Sequence, residues 1–239
     1  MSPTIGMIYP DHAAEDEYPW AAELLGIEMP VAHIYGTDLH AVAELLDLGS
    51  PDKLAAGAAA LAPHEPDAVV WACTSGSFVY GPKGAHDQIA QLATAAGVLA
   101  SSTSEAFVAA LAHLGVTRVA VAASYPQDVA RLFVDYLAAA GIDVVQMSSA
   151  GIDTAAEVGT LTAEQVVDLA VANDHPEAEA LLVPDTAMHT LAVVPELESR
   201  LGKPVLTANQ VTVWQGLQLV GVTPSSSRLG TLFAPKAGR

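Results

Sequence analysis

Asp67-Ala68-Val69-Val70-Trp71-Ala72-Cys73-Thr74-Ser75 and Glu179-Ala180-Leu181-Leu182-Val183-Pro184-Asp185-Thr186 decide the fold. Each is a short apolar run that empties into small polar residues, as a strand buried on both faces does when it opens into a turn. Set against each other the two align, and so do their surroundings. Thr4-Ile5-Gly6-Met7-Ile8-Tyr9-Pro10 sits against Arg118-Val119-Ala120-Val121-Ala122-Ala123-Ser124-Tyr125, and Val98 to Ser102 against Val205 to Asn209. The chain is therefore built twice about Leu114, each half a βα repeat of about four strands. No Pro/Ser linker marks the junction, so closely joined lobes are expected. They divide as 1–111, completed by 212–239, and 112–211.

Working outward, strand-like runs alternate with helical patterns throughout, which argues for an α/β fold with parallel sheets. The expected strands are Thr4–Tyr9, Met29–Tyr35, Ala68–Cys73, Val98–Ser101, Arg118–Ala123, Asp143–Met147, Ala180–Pro184 and Pro204–Thr207. Helices are expected over Asp38–Leu46, Pro51–Leu61, Gly84–Ala96, Ser104–Leu114, Pro126–Ala140, Thr162–Val171, Leu191–Leu201 and Thr212–Leu219. Ser50-Pro51-Asp52 and Thr162-Ala163-Glu164 read as helix starts, with a capping hydroxyl followed by a first-turn acid.

Composition narrows the function classes. With 51% hydrophobic and 15% charged residues among 239, the chain can bury a sizeable core. Nine basic residues against 27 acidic ones leave a net charge of −18, a field that repels nucleic acid and anionic membranes. No apolar run approaches the roughly 18 residues of a membrane span, and the N-terminus has no signal-peptide pattern. One cysteine permits no internal disulfide, which fits a reducing cytoplasm. Neither a dinucleotide-binding Gly-X-Gly-X-X-Gly turn nor a phosphate-binding Gly-Lys-Ser/Thr loop is present.

In open parallel sheets, ligands bind beyond the carboxyl ends of the strands. Polar residues crowd those places here: Pro10-Asp11-His12, Cys73 to Ser77, Ser101 to Ser104, Ser124-Tyr125, Asp185-Thr186 and Asn209-Gln210. Two facing lobes would bring Cys73 and Asp185 to a common cleft. Backbone N–H groups and hydroxyls from Thr74 to Gly76 would favour a thiolate, able to take a proton from carbon or add to an activated double bond. A lone cysteine can equally be a small buried hydrophobe. Asp185 is a second acid/base or a helix cap. Asp11, His12, Glu15, Asp16 and Glu17 show no tight ligand spacing and read as a solvated acidic loop rather than a metal site.

These residues resemble the aspartate/glutamate/hydantoin racemase superfamily, in the branch of maleate cis-trans isomerase and arylmalonate decarboxylase. The resemblance is carried by Ala72-Cys73-Thr74-Ser75-Gly76-Ser77, Ile5 to Pro10, Leu114 to Ala120, Pro195 to Glu198 and Leu201 to Val205. It runs over nearly the whole chain, and its strength lies in the order and spacing of short motifs. It implies two Rossmann-like lobes in pseudo-twofold relation around the site, without cofactor or metal. Racemases and the isomerase of that group typically carry one cysteine per lobe, whereas the decarboxylases keep only the second. Cys73 matches the first, and Asp185 stands where the second would. By the same resemblance Thr74 and Ser75 donate to a substrate carboxylate or enediolate. Ser124 and Tyr125 pair after the second lobe's first strand, with Tyr9 and Pro10 as their counterparts. Thr186 follows Asp185 at the site, while Ser104 and Asn209 complete the carboxylate pockets.

The expected function is a cofactor-independent isomerase, either cis-trans isomerase or racemase, acting on a small carboxylate or related carbonyl compound through Cys73. The alternatives are a cofactor-free decarboxylase of a malonate-like acid and a non-catalytic two-lobed binding protein. No arginine lies near a strand-end cluster, so carboxylate binding would rest on hydroxyls and N–H groups. The expected partners are a small-molecule substrate and a second copy in a homodimer.

Overall fold

The computed structural model describes residues 2–223 and 225–235. Positions 1, 224 and 236–239 of the expected first lobe lie outside the described residues. Among the described residues eight strands form two sheets. The first holds β1 (Ile5–Pro10), β2 (Val31–Ile34), β3 (Ala68–Trp71) and β4 (Leu99–Ser102); the second holds β5 (Arg118–Ala123), β6 (Asp143–Ser149), β7 (Ala180–Val183) and β8 (Val205–Thr207). Their orders are β2-β1-β3-β4 and β6-β5-β7-β8, and every pairing is parallel. The repeat seen in the sequence is thus a repeat of topology, with β3 and β7 in equivalent inner places. Both are buried along their whole length, which is why they read as unbroken apolar runs rather than alternating ones.

Helices cover the sheets. In the first half these are α1 (Glu17–Leu25), α2 (Val42–Leu48), α3 (Pro51–Leu61), α4 (Ser75–Phe78), α5 (Gly81–Ala96) and α6 (Thr103–Leu114). Then follow α7 (Gln127–Ala139), α8 (Ala155–Gly159), α9 (Ala163–Ala172), α10 (Val194–Leu201) and α11 (Ala208–Leu219). Several starts are written locally. Thr162 accepts the Gln165 N–H at 3.3 Å while its own N–H donates to Gln165 Oε1 at 2.9 Å, a reciprocal cap worth about 1 kcal/mol.

Four differences from the expected elements bear on function. Asp11–Glu17 is not wholly a solvated loop: Glu17 opens α1, a helix absent from the expectation, and is buried. The helix expected from Asp38 begins at Val42, because Asp38 and His40 pair instead with the other lobe. The His40 N–H donates to the Asp153 carbonyl at 2.7 Å and the Ala155 N–H to the Asp38 carbonyl at 2.9 Å. Cys73 is followed directly by the short α4 rather than by an open turn reaching to Gly84. α11 starts four residues early, at Ala208, since the Thr207 N–H finds Gln210 Oε1 at 3.1 Å.

α11 is buried on nearly every side, as a helix enclosed between layers must be. It packs on β3, β4 and α6 although it follows the last strand of the second sheet. Gly216 lies so close to β1 that a Cβ there would stand 2.6 Å from Ile5 Cγ2. Thr212 Oγ1 and Thr103 Oγ1 share a hydrogen bond of 2.7 Å in this interior. Among the described residues no helix is long and apolar enough to cross a membrane.

Candidate active site

Cys73 lies two residues beyond β3 and Asp185 two residues beyond β7. Both line one inter-lobe cavity of about 40 Å³, together with Tyr9, Pro10, Ser75, Thr186 and His40. Leu45, Leu48, Ala155 and Ala156 add apolar wall, and Asp11, His12 and Asp38 are also in the lining. Neither Lys nor Arg is among the lining residues.

The sulfur is held by its own turn. Cys73 Sγ accepts the Gly76 N–H at 3.3 Å and stands 3.8 Å from Ser75 Oγ. Burial pushes the thiol up to about 11, outweighing those hydrogen bonds from Gly76 and Ser75, and the nearby Asp185 carboxylate adds to the rise. The donors expected to favour a thiolate are thus in place, but desolvation by burial dominates. Gly76 has to be glycine: a Cβ there would stand 2.8 Å from Trp71 and 3.2 Å from Sγ. Gln88, from α5, ties this turn down by donating through Nε2 to the Gly49 carbonyl at 2.8 Å and the Gly76 carbonyl at 2.9 Å.

On the opposite wall Asp185 is held by its own lobe through one hydrogen bond to each oxygen. Its Oδ1 accepts the Ala187 N–H at 2.9 Å, closing a local turn rather than capping a helix, and its Oδ2 accepts the Ser124 hydroxyl. His40 stands beside it, with Nε2 3.8 Å from Oδ2 and Nδ1 3.1 Å from the Ile152 carbonyl. A carbonyl only accepts, so that contact places a proton on Nδ1. The His40 ring meets Tyr125 edge-on at 4.9 Å.

Ser104, Ser124, Tyr125 and Asn209 hold this frame without lining the cavity, and Tyr9 does both. Ser104 Oγ donates to the Thr74 carbonyl at 2.7 Å, and the Tyr125 hydroxyl donates to the Pro184 carbonyl at 2.7 Å. Tyr9 crosses between lobes, its hydroxyl donating to the Thr186 carbonyl at 2.9 Å. Asn209 Nδ2 donates to Glu17 Oε2 at 2.7 Å and faces the Thr186 and Met188 carbonyls. Thr74 Oγ1 is fully buried beside Cys73 and has no hydrogen-bond partner among the described residues.

Two buried groups escape the sequence reading. His40 falls inside the helix expected from Asp38, although Gly36-Thr37-Asp38 after a strand is the same strand-end signal used elsewhere. Glu17 stands among acids expected to be solvated. Its carboxylate accepts the Thr190 and Leu191 N–H groups at 2.8 and 2.7 Å, and burial nevertheless raises its pKa to about 7. His12, which is in the lining, joins Glu15 and His33 to bring three possible metal ligands within 4.8 Å of one another. Spacing along the chain could not show this group, because His33 comes from β2.

Two matching parallel sheets that face a buried thiol and a buried carboxylate across one cavity define a two-lobed α/β protein with a single inter-lobe site. A family model for arylmalonate decarboxylase matches residues 28–233, and the chain belongs to that family. Its relatives include maleate isomerase of Nocardia farcinica, 31% identical over 179 residues that cover 71% of each chain. Arylmalonate decarboxylase of Bordetella bronchiseptica is 30% identical over 129 residues, 53% of this chain and 54% of that one. Among solved structures, a double mutant of arylmalonate decarboxylase in its liganded form superposes with a TM-score of 0.84 at 26% identity, covering 97% of this chain and 99% of that one. A maleate cis-trans isomerase of Nocardia farcinica with a covalently bound succinylcysteine intermediate superposes at 0.88, with 22% identity and 98% of each chain covered, a likeness of fold.

Proposed function

We propose that this protein is a cofactor-independent cis-trans isomerase of a small unsaturated carboxylate, with Cys73 as the nucleophile. The observation that carries the reading is Cys73 itself: the only cysteine of the chain, at the end of an inner strand, lining the inter-lobe cavity with N–H and hydroxyl groups turned to its sulfur. Addition and elimination need one nucleophile, and this chain has one thiol to offer. In the proposed cycle the sulfur bonds to one alkene carbon as its proton passes to the Asp185 carboxylate, and the π pair moves onto the substrate carboxylate as an enediolate. The new single bond rotates. The C–S bond then breaks, the pair restores the double bond, and the proton returns to sulfur.

In this reading Thr74 and Ser75 hold the substrate carboxylate, and Tyr9, Pro10 and Thr186 shape the walls. Ser104, Ser124, Tyr125 and Asn209 keep the strand-end loops in place. Residues 112–211 act as the second lobe and 212–239 complete the first, a division supported by the packing of α11 on β3 and β4. A cytoplasmic location accords with the free thiol, and a homodimer would cover exposed apolar side chains such as Tyr35. Racemisation, with Cys73 and Asp185 on opposite faces of an acidic C–H, uses the same groups.

The family match favours a second reading, decarboxylation of a malonate-like acid with Cys73 or Asp185 protonating the product carbanion. Proton NMR in D2O separates these. Purified protein is incubated with cis-unsaturated acids and amides, substituted malonates and α-substituted acids, beside Cys73→Ala. Alkene isomerisation lost in the variant is the expected result. Carboxyl loss identifies a decarboxylase and α-deuteration alone a racemase. Turnover that survives in Cys73→Ala overturns the assignment of the nucleophile.

A further inference from the structure

Two donors of the second lobe are already occupied by the protein's own carboxylate. In the first lobe the turn after β3 lines the cavity with Ser75 and gives its Gly76 N–H to the sulfur, and Thr74 Oγ1 nearby is buried without a partner among the described residues. In the second lobe the equivalent turn after β7 presents a backbone N–H, and the loop after β5 brings a hydroxyl beside it. There the Ala187 N–H and the Ser124 hydroxyl both bind Asp185, one to each oxygen. Asp185 is only 3% exposed, so its charge meets a ligand with little water between them.

We propose that this site takes substrates bearing a single carboxylate and rejects dicarboxylates, because Asp185 fills the place where a second carboxylate would sit. The inference rests on the functional reading above and names its substrate class. A second substrate carboxylate in this cavity would find its donors taken, a buried like charge beside it, and no lysine or arginine in the lining to compensate. Asp11 and Asp38 elsewhere in the lining add to the repulsion. His40 turns its Nε2 toward Asp185 Oδ2, 3.8 Å away. The rest of the wall, Leu45, Leu48, Ala155 and Ala156, suits an uncharged remainder: an amide, an alkyl or an aryl group.

The test uses saturated acids, which cannot react with Cys73, so that it is independent of turnover. Binding of succinate and of succinate monoamide to the full-length protein is measured by titration calorimetry at neutral pH. The monoamide is expected to bind at least about tenfold more tightly than the diacid. Equal binding, tighter binding of succinate, or no detectable preference overturns the proposal. Asp185→Asn keeps the shape and removes the charge, and it is expected to gain at least about tenfold for succinate while holding the monoamide within a few-fold. A variant that binds the monoamide but gains nothing for succinate also overturns it. Loss of isomerisation in the NMR assay, with the binding preference intact, would remove the reaction and leave the substrate class standing.

Discussion

At the residue scale, what separates the functional groups is how burial is compensated. Glu17 has three donors on its carboxylate and still sits at about 7, because desolvation outweighs them. Its folded pKa lies above its unfolded value of 4.5, so the native state holds the extra proton between them. The stability Glu17 contributes is therefore complete below about pH 4.5 and is lost as pH rises through about 7, at roughly 1.4 kcal/mol for each step of one in pH across that window. Melting temperatures of wild type and Glu17→Gln, followed from about pH 5 to 8, should show the wild type losing ground to the variant as pH rises. A constant difference would mean that the carboxyl does not titrate in that window.

The element scale is where the site is aimed. Cys73 is steered by a glycine at 76 and by Gln88, whose amide nitrogen joins the C-terminus of α2 to α4. Gln88→Leu strips the donor from two buried carbonyls, a cost of about 1–3 kcal/mol, and frees the turn that carries the thiol. Chemical denaturation should report that loss, and isomerisation should fall further than binding of the monoamide does. These elements also mark how far the sequence is legible. β3 and β7 are buried on both faces and announce themselves, and the equivalence of Cys73 and Asp185 follows from aligning them. Gly36 to His40 does not, because an Asp followed by Leu, His and Ala satisfies a helical pattern. What settles its conformation is a partner on the other lobe, Asp153 to Ala155, which no local pattern encodes. Glu17 escapes for a similar reason: acidic neighbours suggest solvent, while its partners, Thr190, Leu191 and Asn209, lie far along the chain.

At the scale of the whole molecule the two lobes share a cavity of about 40 Å³. Asp38 and His40 meet Asp153 and Ala155 beside it through two backbone hydrogen bonds between segments of opposite lobes, and parting of this contact is the expected way in. Amide hydrogen exchange at His40 and Ala155 should accordingly be faster than in β1 and β5, and should slow by about tenfold or more when a monocarboxylate saturates the site. Unchanged exchange on binding would place the entrance elsewhere.

The packing of α11 against β3, β4 and α6 has a consequence for synthesis. A ribosome delivers the four strands of the first sheet early, yet the helix that shields their inner face emerges only after every strand of the second sheet has been made. Until then Ile5, Val70 and the face around Thr103 lack their cover. The first lobe to be translated is thus the last to be finished, and the nascent chain carries an open apolar sheet through most of its elongation, a natural client for a holdase chaperone.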